Sequence, residues 1–253
     1  MEEIDKIEEG SEQTLLEHLN ELRIRLTWSA GFLVFFTIIS FVFAEQLLGF
    51  LLTPYATNSP IGELQTIRPT EGIETFFKVA LMAGFALSMP FLLHQLWLFI
   101  SPGLTKQERR YVYIFIPSAL LLFVIGVSFA WFVLVPAAIN FLANFLPEIF
   151  RTEWTGQDYI GFIISMVLWL GVSFEMPIVV YFVARVGIVT AKTLREQWRV
   201  AVVGVAVLAA AITPSIDPVT MLLTMAPLLV LYLLSILLAY VGQRQFEKSV
   251  AID

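Results

Sequence analysis

Residues 111–135 read YVYIFIPSALLLFVIGVSFAWFVLV, twenty-five positions without one charged side chain. About 20 apolar residues, at about 1.5 Å of rise each, carry a helix across the hydrocarbon core of a bilayer. Polar residues do not alternate through the stretch as they would in a strand of a membrane barrel. Working outward, five more apolar segments are bounded by charges: Leu26 to Ala44, Val79 to Ser101, Tyr159 to Ala184, Val200 to Ile212 and Val219 to Gly242. The predicted fold is therefore all-α: a polytopic membrane protein with six transmembrane helices.

Two boundaries need further argument. The uncharged stretch from Tyr111 continues to Pro147, too long for one crossing, and Pro136 is the predicted end because its ring removes a helical donor. Ala137 to Asp158 is then expected to form an external loop with a short interfacial helix. The fifth segment holds 13 residues before Thr213-Pro214, about 20 Å of helix against a core of about 30 Å, so it should thin the bilayer or lean on a partner.

Composition agrees. Apolar residues make up 58% and charged residues 14% of the 253 positions, against about 45–50% and about 25% in a soluble domain. The net charge of −6 says less than the distribution of charge, because topology is read from Lys and Arg loop by loop. Of 15 such residues, 12 fall on the side that an even helix count gives to both termini: Lys6, Arg23, Arg25, Lys106, Arg109, Arg110, Arg185, Lys192, Arg195, Arg199, Arg244 and Lys248. Both termini are thus predicted to be cytoplasmic. The chain reads as one integral membrane domain, with 1–25 as a cytoplasmic N-terminal region, 26–242 as the six-helix region and 243–253 as a cytoplasmic tail. Met1 to Gln13 lacks the basic and then apolar character of a cleavable signal, so insertion is expected to depend on the helices themselves. There is no cysteine, which excludes disulfides and thiolate chemistry.

Four constellations could carry function. Thr14 and Glu17 have capping-box spacing, and Leu15, Leu19, Leu22 and Leu26 form a stripe, predicting a short amphipathic helix before the first crossing. Its polar side presents Glu17, His18, Glu21 and Arg25. On general grounds Glu21 and Arg25, four apart, are an exposed ion pair worth about 0.3–0.5 kcal/mol. The turn after the second crossing holds Gln95, Trp97, Phe99, Glu108 and Arg109, which also fits an aromatic belt with solvated charges. Glu175 lies inside the fourth segment, where a charged and unpaired carboxylate costs at least about 2.5–3.5 kcal/mol; function is the default reading there. Pro177 should weaken the backbone around it. Asp217 before Pro218 could cap the sixth helix.

These stretches, taken together, are similar to one family. His18-Leu19-Asn20-Glu21-Leu22-Arg23-Ile24-Arg25-Leu26, the Gln95-x-Trp97-x-Phe99-x-x-Pro102-x-Leu104-x-x-x-Glu108-Arg109 run, Gly126-Val127-x-Phe129, Gly171-Val172-Ser173-Phe174-Glu175-x-Pro177, and Thr213-Pro214 with Asp217-Pro218 resemble the TatC family in order and spacing. The resemblance implies a receptor for twin-arginine signal peptides on folded cargo in the cytoplasmic (inner) membrane. It would be driven by the proton-motive force and work with single-span TatA and TatB type subunits and further copies of itself. Glu21, Glu108 and Phe99 match the family's signal-peptide positions, with Arg23 and Gln95 beside them. Two arginines present planar donor forks that suit carboxylates at a partly desolvated face. Glu175 matches the membrane-embedded carboxylate. Thr213 and Asp217 match the docking site for a partner helix, although Met221 stands where the family often has a polar residue. No cofactor, metal or nucleic acid is implied.

Two other classes compete. A proton- or ion-coupled small-solute transporter would also use an intramembrane carboxylate such as Glu175. A membrane enzyme would need a nucleophile with its base, or metal ligands, yet His18 and His94 are the only histidines and both are predicted to be cytoplasmic.

Overall fold

In lipid a backbone amide has no water to bond, so an apolar run must close its hydrogen bonds within itself, as a helix does. The computed structural model describes residues 2–54, 64–100, 112–146, 148–149, 154–213 and 217–250. Among these the chain is helical apart from turns and one isolated bridge, Gln65 to Thr155. The helices are α1 (Glu2–Val42), α2 (Ala44–Leu51), α3 (Glu71–Ile100), α4 (Val112–Phe129), α5 (Val135–Ala143), α6 (Gly156–Ser173), α7 (Met176–Arg185), α8 (Ala191–Glu196), α9 (Trp198–Ile212) and α10 (Pro218–Val250). Among the described residues five stretches are long and apolar enough to cross a membrane: Glu17–Val42, Glu71–Phe99, Phe115–Ala143, Gly156–Arg185 and Pro218–Glu247. Trp198–Ile212 is a shorter apolar helix, as expected of the fifth segment.

Three boundaries differ from expectation. The amphipathic N-terminal segment and the first crossing are one unbroken helix, so Thr14 and Glu17 do not mark a helix start. Capping-box spacing acts only where the preceding backbone leaves the helix. Pro136 does not end the third crossing: a π-helical turn, Ala130–Leu134, precedes it, and α5 continues to Ala143. The wider turn places Pro136 in the first turn of α5, where a missing donor does little harm. The helical part of the expected loop Ala137 to Asp158 is therefore an extension of the crossing. Third, α10 runs on past Gly242 to Val250. The fourth crossing breaks at Phe174 and Glu175, with Pro177 in the first turn of α7, as its ring predicts.

The core gathers around α6, whose Ile160, Ile163, Met166 and Leu170 are buried against Val135 and Ile139 and against Ile212 beyond. A second cluster joins α3, α4 and α7 through Trp97, Phe115 and Phe182; Trp97 meets Phe182 edge-on at 4.4 Å between ring centroids. The helix α1 stands apart from both. It packs along α3, and between Glu17 and Val42 only Ser40 is buried, leaving Trp28, Phe35 and Ile38 turned outward toward lipid. The two helices approach closely at Gly84, where an added Cβ would lie 2.6 Å from the Thr37 Cα. Small residues at such a crossing replace the hydrophobic drive that helices lack in lipid.

At the other end of the bundle Tyr159 is buried and its hydroxyl donates to the Leu51 carbonyl at 3.0 Å, tying α2 to α6. Tyr159→Phe removes this donor, and the expected loss is about 1–2 kcal/mol, read as a lower melting temperature of the purified chain in detergent. An unchanged melting temperature would show the bond to be dispensable.

Candidate functional site

The candidate site is built from the facing stripes of α1 and α3. On α1, His18, Arg25 and Phe32 follow at intervals of seven and share a face. On α3, Phe91, Gln95 and Phe99 follow at intervals of four. The rings set the register: Phe91 stacks on Phe32 at 4.7 Å between centroids, and Phe99 on His18 at 4.5 Å with the planes inclined by 23°. Gln95 lies midway between the two α3 aromatics, and Arg25 midway between their α1 partners, so the two are level across the interface.

Glu21 stands one turn from Arg25 and accepts from its Nη2 at 3.2 Å, as the spacing predicted. The side chains are not fully exposed, however: Arg25 and Glu21 retain 28% and 26% of their accessibility. The Arg25 Nε and the Gln95 Oε1 are both buried with no hydrogen-bond partner. Arg23 points outward, and its carbonyl accepts from the Thr27 hydroxyl at 2.8 Å. Glu108, with Pro102, Leu104 and Arg109, lies outside the described residues. The arrangement can offer a half-buried carboxylate and an aromatic face to a cation, and Glu21 already holds one.

Glu175 is buried, and the break between α6 and α7 is what places it. Gly126 makes the break possible, because a Cβ there would sit 2.7 Å from the Phe174 Cγ. The Glu175 backbone is held by Val172, whose carbonyl accepts its N–H at 3.0 Å, while its Oε1 has no partner. About 15 Å of helix separates Glu175 from Arg185 at the end of α7.

At the start of α10 Asp217 caps the helix, its Oδ1 accepting from the Thr220 N–H at 2.7 Å and its Oδ2 from the Thr220 hydroxyl. Thr213 is buried and donates to the Ala209 carbonyl at 2.8 Å. Both side chains therefore bond locally. Among the described residues no three His, Asp or Glu side chains converge as a metal would require. Sequence reasoning did not assign a role to His18 beyond the polar side of its helix, nor any to Gly84 and Thr37. A small residue within a long apolar run was the available signal for that crossing.

Comparison with known proteins agrees with this architecture. The family model for the Sec-independent protein translocase protein TatC matches residues 17–227. The chain is 37% identical over 231 residues to the Sec-independent protein translocase protein TatC of Koribacter versatilis, covering 90% of this chain and 85% of that one. Against the TatC of Deinococcus radiodurans identity is 38% over 231 residues, covering 90% and 86%. A crystal structure of a twin-arginine translocase receptor TatC is 34% identical and superposes with a TM-score of 0.82, covering 89% of this chain and 99% of that one. That family comprises translocase components rather than enzymes, and its match here, over crossings in the same order, makes this a multi-pass membrane protein belonging to the TatC family of Sec-independent protein translocases.

Proposed function

We propose that this translocase component is the receptor for twin-arginine signal peptides, and that Glu21, Arg23, Gln95, Phe99 and Glu108 form the binding face. The observation that carries the reading is the half-buried Glu21 carboxylate beside the His18–Phe99 stack. A guanidinium is weakly hydrated, pairs with a carboxylate through parallel donors and stacks on aromatic faces, so this surface suits arginine better than lysine. In this reading this end of α1, and both termini, lie on the cytoplasmic side of the inner membrane, an orientation that the charge bias supports. Residues 1–253 then act as one membrane domain, with 1–25 and 243–253 in the cytoplasm.

Glu175 is the membrane-embedded functional carboxylate in this reading, and the proton-motive force drives export. TatA and TatB type single-span subunits dock near Thr213 and Asp217, and several copies of this chain assemble. The short α9, beside the much longer α10, is where the bilayer would thin for cargo.

Photocrosslinking from position 108 tests the reading. A signal peptide with its Arg-Arg pair should crosslink at least about tenfold more than its Lys-Lys counterpart, the difference expected when bidentate pairs are lost. Equal yields would reject the receptor assignment.

A further inference from the structure

The receptor reading leaves one cation unexplained: Glu21, offered as the acceptor for an incoming guanidinium, is already paired with one from its own helix. The Arg25 pairing uses a single contact at 3.2 Å, and its Nε is buried without a partner. Across the interface at the same level Gln95, itself buried, carries an acceptor oxygen that nothing occupies. A buried unpaired donor and a buried unpaired acceptor are each costly, and by helix register both fall between the Phe91–Phe32 and Phe99–His18 stacks.

We infer that Arg25 is a built-in competitor for Glu21, a resident guanidinium that an arriving arginine must displace and that turns to the Gln95 oxygen when displaced. The inference rests on the receptor reading and adds a specificity-determining role for Arg25 and a positioning role for Gln95. In the empty receptor Arg25 keeps Glu21 from the many cations near an anionic membrane surface. A lysine ammonium, a compact and strongly hydrated point charge, gains little by replacing a guanidinium already in place. An arginine offers the carboxylate a second parallel donor, which the single resident contact leaves unused, and so wins the exchange. Gln95 lowers the cost of that exchange because it receives the released side chain.

The test uses the full chain in lipid nanodiscs and fluorescent peptides carrying Arg-Arg or Lys-Lys. Arg25→Gln should bind the Arg-Arg peptide about fivefold more tightly, and the Lys-Lys peptide should gain more, so that the preference narrows. Arg25→Lys, which keeps charge and stem, should narrow it part of the way and serves as the folded reference. Gln95→Leu should weaken Arg-Arg binding by a larger factor in the native background than beside Arg25→Gln, a non-additivity that general damage would not produce. An unaltered preference in both Arg25 variants, or an equal effect of Gln95→Leu in both backgrounds, overturns the inference. Wild-type protein without any Arg-Arg preference would instead overturn the receptor reading. A preference abolished by Glu21→Gln but indifferent to Arg25 would leave that reading standing and remove only the competitor.

Discussion

Replacing Glu21 and Glu108 together by alanine is expected to lower affinity for a twin-arginine signal peptide by about a hundredfold, because hydrogen bonds to charged groups contribute about 1.5–3 kcal/mol each. Two such losses at the lower bound already reach that factor. Partial burial of Glu21 supports the upper part of the range, since salt screens a half-covered pair less than an exposed one. Glu17, on the same helix but exposed, is the control: Glu17→Ala should change affinity by less than about twofold, as surface charges usually do. Titration of fluorescent peptide into nanodisc-embedded protein reads both. A double variant that binds as tightly as wild type would remove the proposed site altogether.

Gly84→Leu should separate α1 from α3 and weaken peptide binding without touching a binding residue. A Cβ at this position would lie 2.3 Å from the Thr37 Oγ1, 2.6 Å from its Cα and 2.7 Å from its N. A rotamer change can move the hydroxyl but not the backbone atoms, so the helices must part. Overpacking of this kind costs about 1–3 kcal/mol. Because α1 packs mainly on α3, little else holds it in place. Spin labels at Asn20 and His94, both exposed, should report a wider distance distribution, and binding should fall about tenfold as the ring stacks loosen. Gly31 on α1 has nothing within 4 Å of its Cβ position, so Gly31→Ala should be harmless or slightly stabilising. Equal effects of the two glycine substitutions would argue against the crossing.

Most crossings were legible because they are long apolar runs, free of charge except for Glu175 in the fourth, and no soluble core requires such runs. Their ends were harder to read. Pro136 looked like a terminator, since one-dimensional reasoning has no means of seeing a π-turn five residues long that re-sets the helical phase before the ring arrives. Thr14 and Glu17 had the spacing of a helix start, yet nothing between Glu2 and Leu26 obliges the backbone to leave the helix. In the site, Glu21 with Arg25 was visible from spacing four along one helix. Its half-burial was not, because that depends on α3, sixty residues and more away in sequence. The level pairing of Arg25 with Gln95 and the stack of His18 on Phe99 belong to the same class: the register of two helices decides them. Glu175 was legible from its cost in lipid alone, whereas the cap made by Asp217 was visible because capping is local.

The uninterrupted course of α1 has a mechanical corollary. Glu21 and Thr37 are sixteen positions apart, a stiff rod of about 24 Å at about 1.5 Å per residue, pinned to its neighbour near Gly84. Such a rod is a lever: swinging it by about 10° about the pin carries the carboxylate about 4 Å sideways at that arm length. The short arm beyond Thr37 would move the opposite way, so docking of a leader on one face of the bilayer would be felt on the other with no relay of side chains in between.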